Sequence, residues 1–324
     1  MITNLIFALS NANIRQTKAL TAQAPIVVPG GPGGFDFMNI DNRDRLAFAC
    51  HPKTSSLAVI HLDTEAVQIV DLGVACNGVA ADSKSQKLYA AGPGKTLVEF
   101  DMGSWTKTAS LALDGPGDSV VYDSKNSMVY VDNDDGTNLW LVDPTSLKVS
   151  SAVTIKEAPE VMVLDNGRGK IFQNIKSTNS IQVIDLTTKA VVAEYPLGDL
   201  TSPHGLAEDR RAGKLFAVGK NGKLVILDAD SGKILTTLDV LKGSDQIAYD
   251  TRLKRLYIPG GGQIQTVQIT DDGASVIDTE VAPTGCHSVT VDPKTHDVWV
   301  AYTDTTNSYV MKYVASQPDT ATSQ

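Results

Sequence analysis

The chain has 324 residues, 42% of them hydrophobic and 20% charged, with 37 Asp and Glu against 28 Lys and Arg and a formal net charge of −9. That balance is typical of a soluble globular protein with a large core, and it excludes a duplex nucleic-acid binder, because no Lys/Arg cluster could neutralise a run of phosphates. No stretch approaches 18 consecutive apolar residues, which excludes a membrane-spanning helix and leaves no membrane partner to expect.

The first residues, Met1 to Leu9, form a short apolar run with no basic segment before it, too short for a secretory leader. They read as the terminus of a mature cytoplasmic protein. Three cysteines, Cys50, Cys76 and Cys286, are too few and too odd for a disulfide framework and fit a reducing compartment, with one bridge plus a free thiol left open.

From residue 24 onward the chain repeats itself. An apolar strand ends in Asp, a short turn follows, and a second strand carries an apolar–aromatic core. The strand-ending aspartates are Asp41, Asp82, Asp123, Asp165, Asp209, Asp250 and Asp292, spaced by 41, 41, 42, 44, 41 and 42 residues. The second strands carry Ala47-Phe48, Leu88-Tyr89, Val129-Tyr130, Ile171-Phe172, Leu215-Phe216, Leu256-Tyr257 and Val298-Trp299. Third strands close on Asp101, Asp143, Asp185 and Asp228, and turns such as Asp230-Ser-Gly-Lys233 lead into fourth strands. No segment of ten residues has a helical period.

Four short antiparallel strands repeated seven times predict an all-β fold, a seven-bladed β-propeller of four-stranded antiparallel blades. The last unit supplies three strands, so Ala24–Pro29 is expected to complete it and close the ring. The expected organisation is an N-terminal extension over 1–23, one propeller domain over 24–315 and a polar tail over 316–324. The glycine-rich stretch Pro29–Gly34 has no helix after it, so it reads as the crossing into blade 1 and not as a phosphate loop.

These units resemble the YVTN-type (YncE-like) propeller repeat family, most closely at Val183-Ile-Asp-Leu-Thr-Thr-Lys189 and Ala248-Tyr-Asp-Thr-Arg-Leu-Lys-Arg-Leu-Tyr-Ile258. The resemblance covers the chain from about residue 25. It implies the fold and leaves activity open, because such propellers host binding proteins, lyases and lactonases alike.

Alignment on the aspartates exposes a second register. Five residues before each stand Asp36, Asn77, Asp118, Glu160, His204, Asp245 and His287, all polar, while the residues two positions later are all apolar. In a propeller the first strand of each blade lines the central channel, so these seven are expected to ring one mouth of it. Carboxylates and imidazoles crowded there would suit a divalent metal ion of unspecified identity. His204, Asp245 and His287, with Glu160, form the expected metal shell and the catalytic set. Asp36, Asn77 and Asp118 are then placed to hold substrate. A metal-free catalytic site or a merely solvated mouth stays open as an alternative. Asp132 and Asn174, at the ends of the second strands of blades 3 and 4, are expected behind Asp118 and Glu160, suited to orienting them and counted with the substrate-binding set. His51 could reach the mouth and join the substrate-binding set, or sit on an exposed loop. No nucleotide or flavin motif is present.

The expectation that follows is a monomeric small-molecule enzyme, with a lyase- or lactonase-type reaction at the channel mouth. The alternative is a non-catalytic ligand-binding or protein-interaction propeller.

Overall fold

The strand-ending aspartates both finish a strand and build the turn that follows it. In each first hairpin one carboxylate oxygen accepts backbone N–H groups two or three residues on, as Asp41 does from Arg43 and Asp44, Asp250 from Arg252 and Leu253, and Asp209 from Ala212. Four residues after every aspartate the backbone turns left-handed, at Arg45, Gln86, Ser127, Gly169, Gly213, Lys254 and His296, with φ between 50 and 69°. Only two of the seven are glycine, so the Asx-type hydrogen bonds carry the cost of the strained position elsewhere.

The structure, a computed structural model, describes residues 18–317. The apolar run at Met1–Leu9 and most of the polar tail lie outside them. Seven antiparallel sheets follow one another, each running from an inner strand to an outer one. Their inner strands are Met38–Asp41, Gly78–Asp82, Gly117–Asp123, Pro159–Asp165, Pro203–Asp209, Ala248–Asp250 and Ser288–Val291. This is the expected seven-bladed propeller. Among the described residues the only helices are two 3-10 turns, Pro52–Thr54 and Lys176–Thr178, and no helix is long and apolar enough to cross a membrane.

Seven hydrophobic clusters each lie between neighbouring blades, so stability resides in the interfaces and not within single sheets. The second-strand aromatics expected from the repeat are their anchors: Phe48, Tyr89, Phe172, Phe216, Tyr257 and Trp299 are all buried.

At the face away from the ring, each aspartate also meets the next blade. Ser83 donates to Asp41 at 2.7 Å, Tyr122 to Asp82, Asn166 to Asp123 at 2.8 Å once its amide is oriented to satisfy both partners, and Tyr249 to Asp209 at 2.7 Å. Burial pushes Glu208 up to about 7, and the neighbouring Asp165 carboxyl adds to the rise. His296 Nδ1 contacts Asp250 at 2.7 Å, and Arg45 binds both oxygens of Asp292. Seven blades are thus latched by one carboxylate register and a varied set of partners. Tyr249→Phe removes one latch and leaves a buried carboxylate oxygen unserved. It should cost about 1–2 kcal/mol in urea unfolding, and a loss below about 0.3 kcal/mol would show the latch to be idle.

Ring closure uses the N-terminal segment, in two pieces. Leu20–Ala22 pairs with Tyr313–Ala315, and Ile26–Val28 with Ser308–Val310. The closing strand therefore starts ahead of residue 24, within the stretch expected to be an extension.

His51 corrects the sequence reading. It is not an exposed loop residue and does not reach the mouth. It is fully buried, stacked on Phe35 at 4.6 Å, with Nδ1 on Thr54 Oγ1 at 2.6 Å and Nε2 on Ser308 Oγ at 2.9 Å. It pins the crossing segment and the last long strand to blade 1. A Cβ at Gly33 would come within 2.6 Å of its Nε2, which is why a glycine passes here. The cysteines take the alternative left open by the sequence, one bridge and one free thiol. Cys50 and Cys76 form a disulfide across blades 1 and 2, while Cys286 is free and buried between blades 6 and 7.

Candidate functional site

The inner ends of the first strands converge because their backbones touch. Phe37 N–H donates to Asn77 O at 3.2 Å, and Asp245 and Gln246 N–H both donate to His287 O at 3.3 and 3.1 Å. Gly78 lies so close to blade 3 that a Cβ there would meet Asp118 O at 2.0 Å. This crowding brings all seven ring residues onto one cavity of about 240 Å³, lined by Asp36, Asn77, Asp118, Glu160, His204, Asp245 and His287 together with Phe37 and Asp134.

Within the cup the side chains pair. Asn77 Nδ2 donates to Asp118 Oδ1 at 3.1 Å. Glu160 Oε1 accepts Lys176 Nζ at 2.5 Å and faces His204 Nε2 at 3.4 Å. Asp245 meets Lys220 through one oxygen and His287 Nδ1 through the other, at 2.9 Å. His204 Nδ1 lies 2.9 Å from the Ser202 carbonyl. A carbonyl can only accept, so Nδ1 carries the proton and Nε2 is the free nitrogen.

Asp132 and Asn174 stand behind this lining and not in it. Asp132 accepts Ser119 N–H at 2.7 Å and Gln173 Nε2 at 3.0 Å, and Gln173 also donates to the Glu160 carbonyl. Asn174 Nδ2 donates to the carbonyls of His204 and Gly205 at 2.9 and 3.2 Å. Both tie strand backbone in place, next to Asp118 and at His204.

Burial dominates the electrostatics. It lifts Asp36 to about 7; the nearby His287 lowers it, and Glu160 and Asp134 add to the rise. Asp118 and Asp132 are pushed well above the carboxylate range, first by burial and then by neighbouring acids. Glu160 is also raised by burial, even with Lys176 beside it. Burial lowers His204 to about 4 and lowers His287 as well, so both imidazoles are neutral at pH 7.

Lys176, Lys220 and Asp134 were not found from the sequence. They sit two residues beyond Asn174, Val218 and Asp132, at the same point of the loops after three successive second strands. The signal was therefore a register of the same kind, one step farther along. Their placement leaves the metal reading without support. In the expected His204–Asp245–His287 arc with Glu160, each imidazole faces a carboxylate and lysine ammonium groups supply positive charge. Among the described residues no group of three or more His, Cys, Asp or Glu side chains is arranged to hold a metal ion.

Fold and cup together define a seven-bladed repeat propeller with a polar recess on its axis. Residues 65–274 match the family model described as "Outer membrane protein assembly factor BamB", and the chain belongs to that family of propeller repeats. The resemblance to YVTN-type repeats thus holds for the propeller repeat in general and not for that particular family. No curated protein matches the chain.

Similar solved structures include Kuenenia stuttgartiensis hydrazine synthase, 12% identical with a TM-score of 0.75 over 90% of this chain and 97% of that one. A chain of the mitotic checkpoint complex is 12% identical, with a TM-score of 0.77 over 96% and 97%. The RRP9 WD40 repeats are 9% identical, with a TM-score of 0.77 over 90% and 99%. At these identities the likeness shows the fold alone.

Proposed function

We propose that this chain is a non-catalytic binding propeller that works by contact with a protein partner, with the axial cup as its recognition site. One observation carries the reading: seven polar residues from seven blades line a single cavity whose charges are partly balanced from within by Lys176 and Lys220. A carboxylate ring of this kind holds and orients a ligand. The lyase- or lactonase-type reaction expected from the sequence depended on a cation at the position those lysines now serve. The family description names an assembly factor, and two of the similar structures are a checkpoint complex and a WD40 repeat domain, which favour a protein partner over a small-molecule substrate. The Cys50–Cys76 bond favours an oxidising compartment over the cytoplasm.

The test uses a photo-crosslinking residue at Gly94, in a loop on the cup face, and another at Val192 on the outer rim. Capture of one discrete partner from Gly94, lost in the Asp118→Asn variant, supports the cup. Capture from Val192 alone, unaffected by Asp118→Asn, moves recognition to the rim and overturns it. Lactone or carboxylate turnover that vanishes in both His204→Ala and His287→Ala would restore the enzymatic reading.

A further inference from the structure

The cup is chemically lopsided. Five carboxylates line it, at Asp36, Asp118, Asp134, Glu160 and Asp245, against two ammonium groups. The lysines belong to blades 4 and 5 and are taken up by Glu160 of blade 4 and Asp245 of blade 6. The blade 1–3 side is different. Among the described residues Asp36 and Asp134 have no hydrogen-bond or ion-pair partner for their carboxylates. Asp118, only 6% exposed, gives one oxygen to Asn77 and leaves the other unpartnered at the cavity. A carboxylate so placed is normally satisfied, because an unpartnered buried acceptor costs about 1–3 kcal/mol and more when charged.

Three acceptor groups at this side face a space of about 240 Å³. That is below the range of about 300–1,000 Å³ usual for drug-sized ligands, and it suits one side chain or a short linear molecule. Anions are disfavoured, because the nearest positive charges are already paired and both imidazoles are neutral.

Building on the reading of the cup as the recognition site, we infer that it receives an organic cation with several N–H donors, an alkylammonium or guanidinium group held by Asp36, Asp118 and Asp134. Two sources share this chemistry: a Lys or Arg side chain of a protein partner, and a free short diamine. A primary ammonium offers three donors, one for each of these carboxylates, and a guanidinium offers five in a planar fork. The shifts at Asp36 and Asp118 agree with this, since mutual repulsion and burial are what an arriving cation would relieve.

Isothermal titration of the full chain at low salt separates the outcomes, using 1,4-diaminobutane, an acetylated Lys-containing tetrapeptide, and succinate as the charge-reversed control. The expected result is binding of at least one amine with Kd at or below about 1 mM, weakened at least tenfold in both Asp36→Asn and Asp118→Asn, which is about 1.4 kcal/mol. These variants should fold, because each removes a carboxylate that burial already penalises, and an unchanged circular dichroism spectrum checks this. Tighter binding of the peptide assigns the cation to a partner side chain, and tighter binding of the diamine assigns it to a free molecule. If neither amine binds, the cation assignment is wrong. In that case, loss of Gly94 crosslinking in Asp118→Asn would keep the cup as the recognition site, while persistence of crosslinking would remove both. Succinate binding in place of the amines would reverse the assigned charge and leave the cup standing.

Discussion

Arg45→Ala is expected to destabilise the protein by about 3–5 kcal/mol, the usual result when a buried ion pair loses one partner. Arg45 stands in the first hairpin of blade 1 and reaches blade 7, where Nη1 and Nη2 donate to the two oxygens of Asp292 at 2.6 and 2.5 Å. The Asp292 side chain is 1% exposed and the Arg45 side chain 15%, so water does not replace the lost donors. Burial alone would raise Asp292. Arg45, the Lys294 N–H and Thr295 outweigh it and hold the carboxyl below its ordinary value. The contact spans the seam where the first and last blades meet, so the loss falls on ring closure.

Two controls separate charge from backbone. Arg45→Gly suits the left-handed φ of 59° better than alanine and should recover up to about 1 kcal/mol, yet it still leaves Asp292 alone. Arg45→Ala with Asp292→Asn should recover more, because no unpaired charge remains. A depressed carboxyl contributes stability that is present above its unfolded value, about 3.9, and is lost as pH falls through the folded value. The wild type should therefore lose part of its urea midpoint below about pH 4, and the Arg45→Ala variant should lose less there. A loss under about 1 kcal/mol at pH 7 would mean that the closing strand alone, and not this latch, holds the seam.

The blades were legible because one residue type serves two ends at once. The strand-ending aspartate caps its own turn and latches its neighbour, so its period of about 42 residues is imposed by geometry and survives wide variation elsewhere. The ring was legible for the same reason, as seven residues held in one register by backbone contacts near the axis. Lys176 and Lys220 lay in the same kind of register, but only blades 4 and 5 carry a cation there, so no repeat announces them. Without them a ring of acids and histidines looks like a ligand set in search of a metal.

His51 has no local signature because two of its three partners lie elsewhere in the chain: Thr54 is beside it, but Phe35 is in the crossing segment and Ser308 is at a separation of 257 residues. The Cys50–Cys76 bond is of the same sort, since a pairing across two blades has no sequence period.

Gly78→Ala should cost more than about 3 kcal/mol, above the 1–3 kcal/mol typical of overpacking, because the atoms in the way cannot rotate aside. The new methyl would sit 2.0 Å from Asp118 O and 2.9 Å from Val120 N, both backbone atoms of the blade 3 inner strand. Either the blade 2 strand retreats from the axis or Asp118 moves. In both cases the Asn77–Asp118 hydrogen bond of 3.1 Å is lost and the acidic side of the cup changes shape. Two other glycines calibrate the effect. Gly205 holds the same register position in blade 5, but the nearest obstacle to a Cβ there is Ile247 Cγ2 at 2.9 Å, a side-chain atom that can shift. Gly94 has nothing within 4 Å, so alanine there should stay within about 0.5 kcal/mol of the wild type. The expected order of urea midpoints is therefore Gly94→Ala highest, then Gly205→Ala, then Gly78→Ala. Amine titration should show the same ranking at the cup, with only Gly78→Ala disturbing the residues proposed to hold the cation. A Gly78→Ala protein as stable as the Gly94→Ala protein would show that the inner strands stand farther apart than this structure places them. The cup would then be too wide for three carboxylates to share one ammonium group.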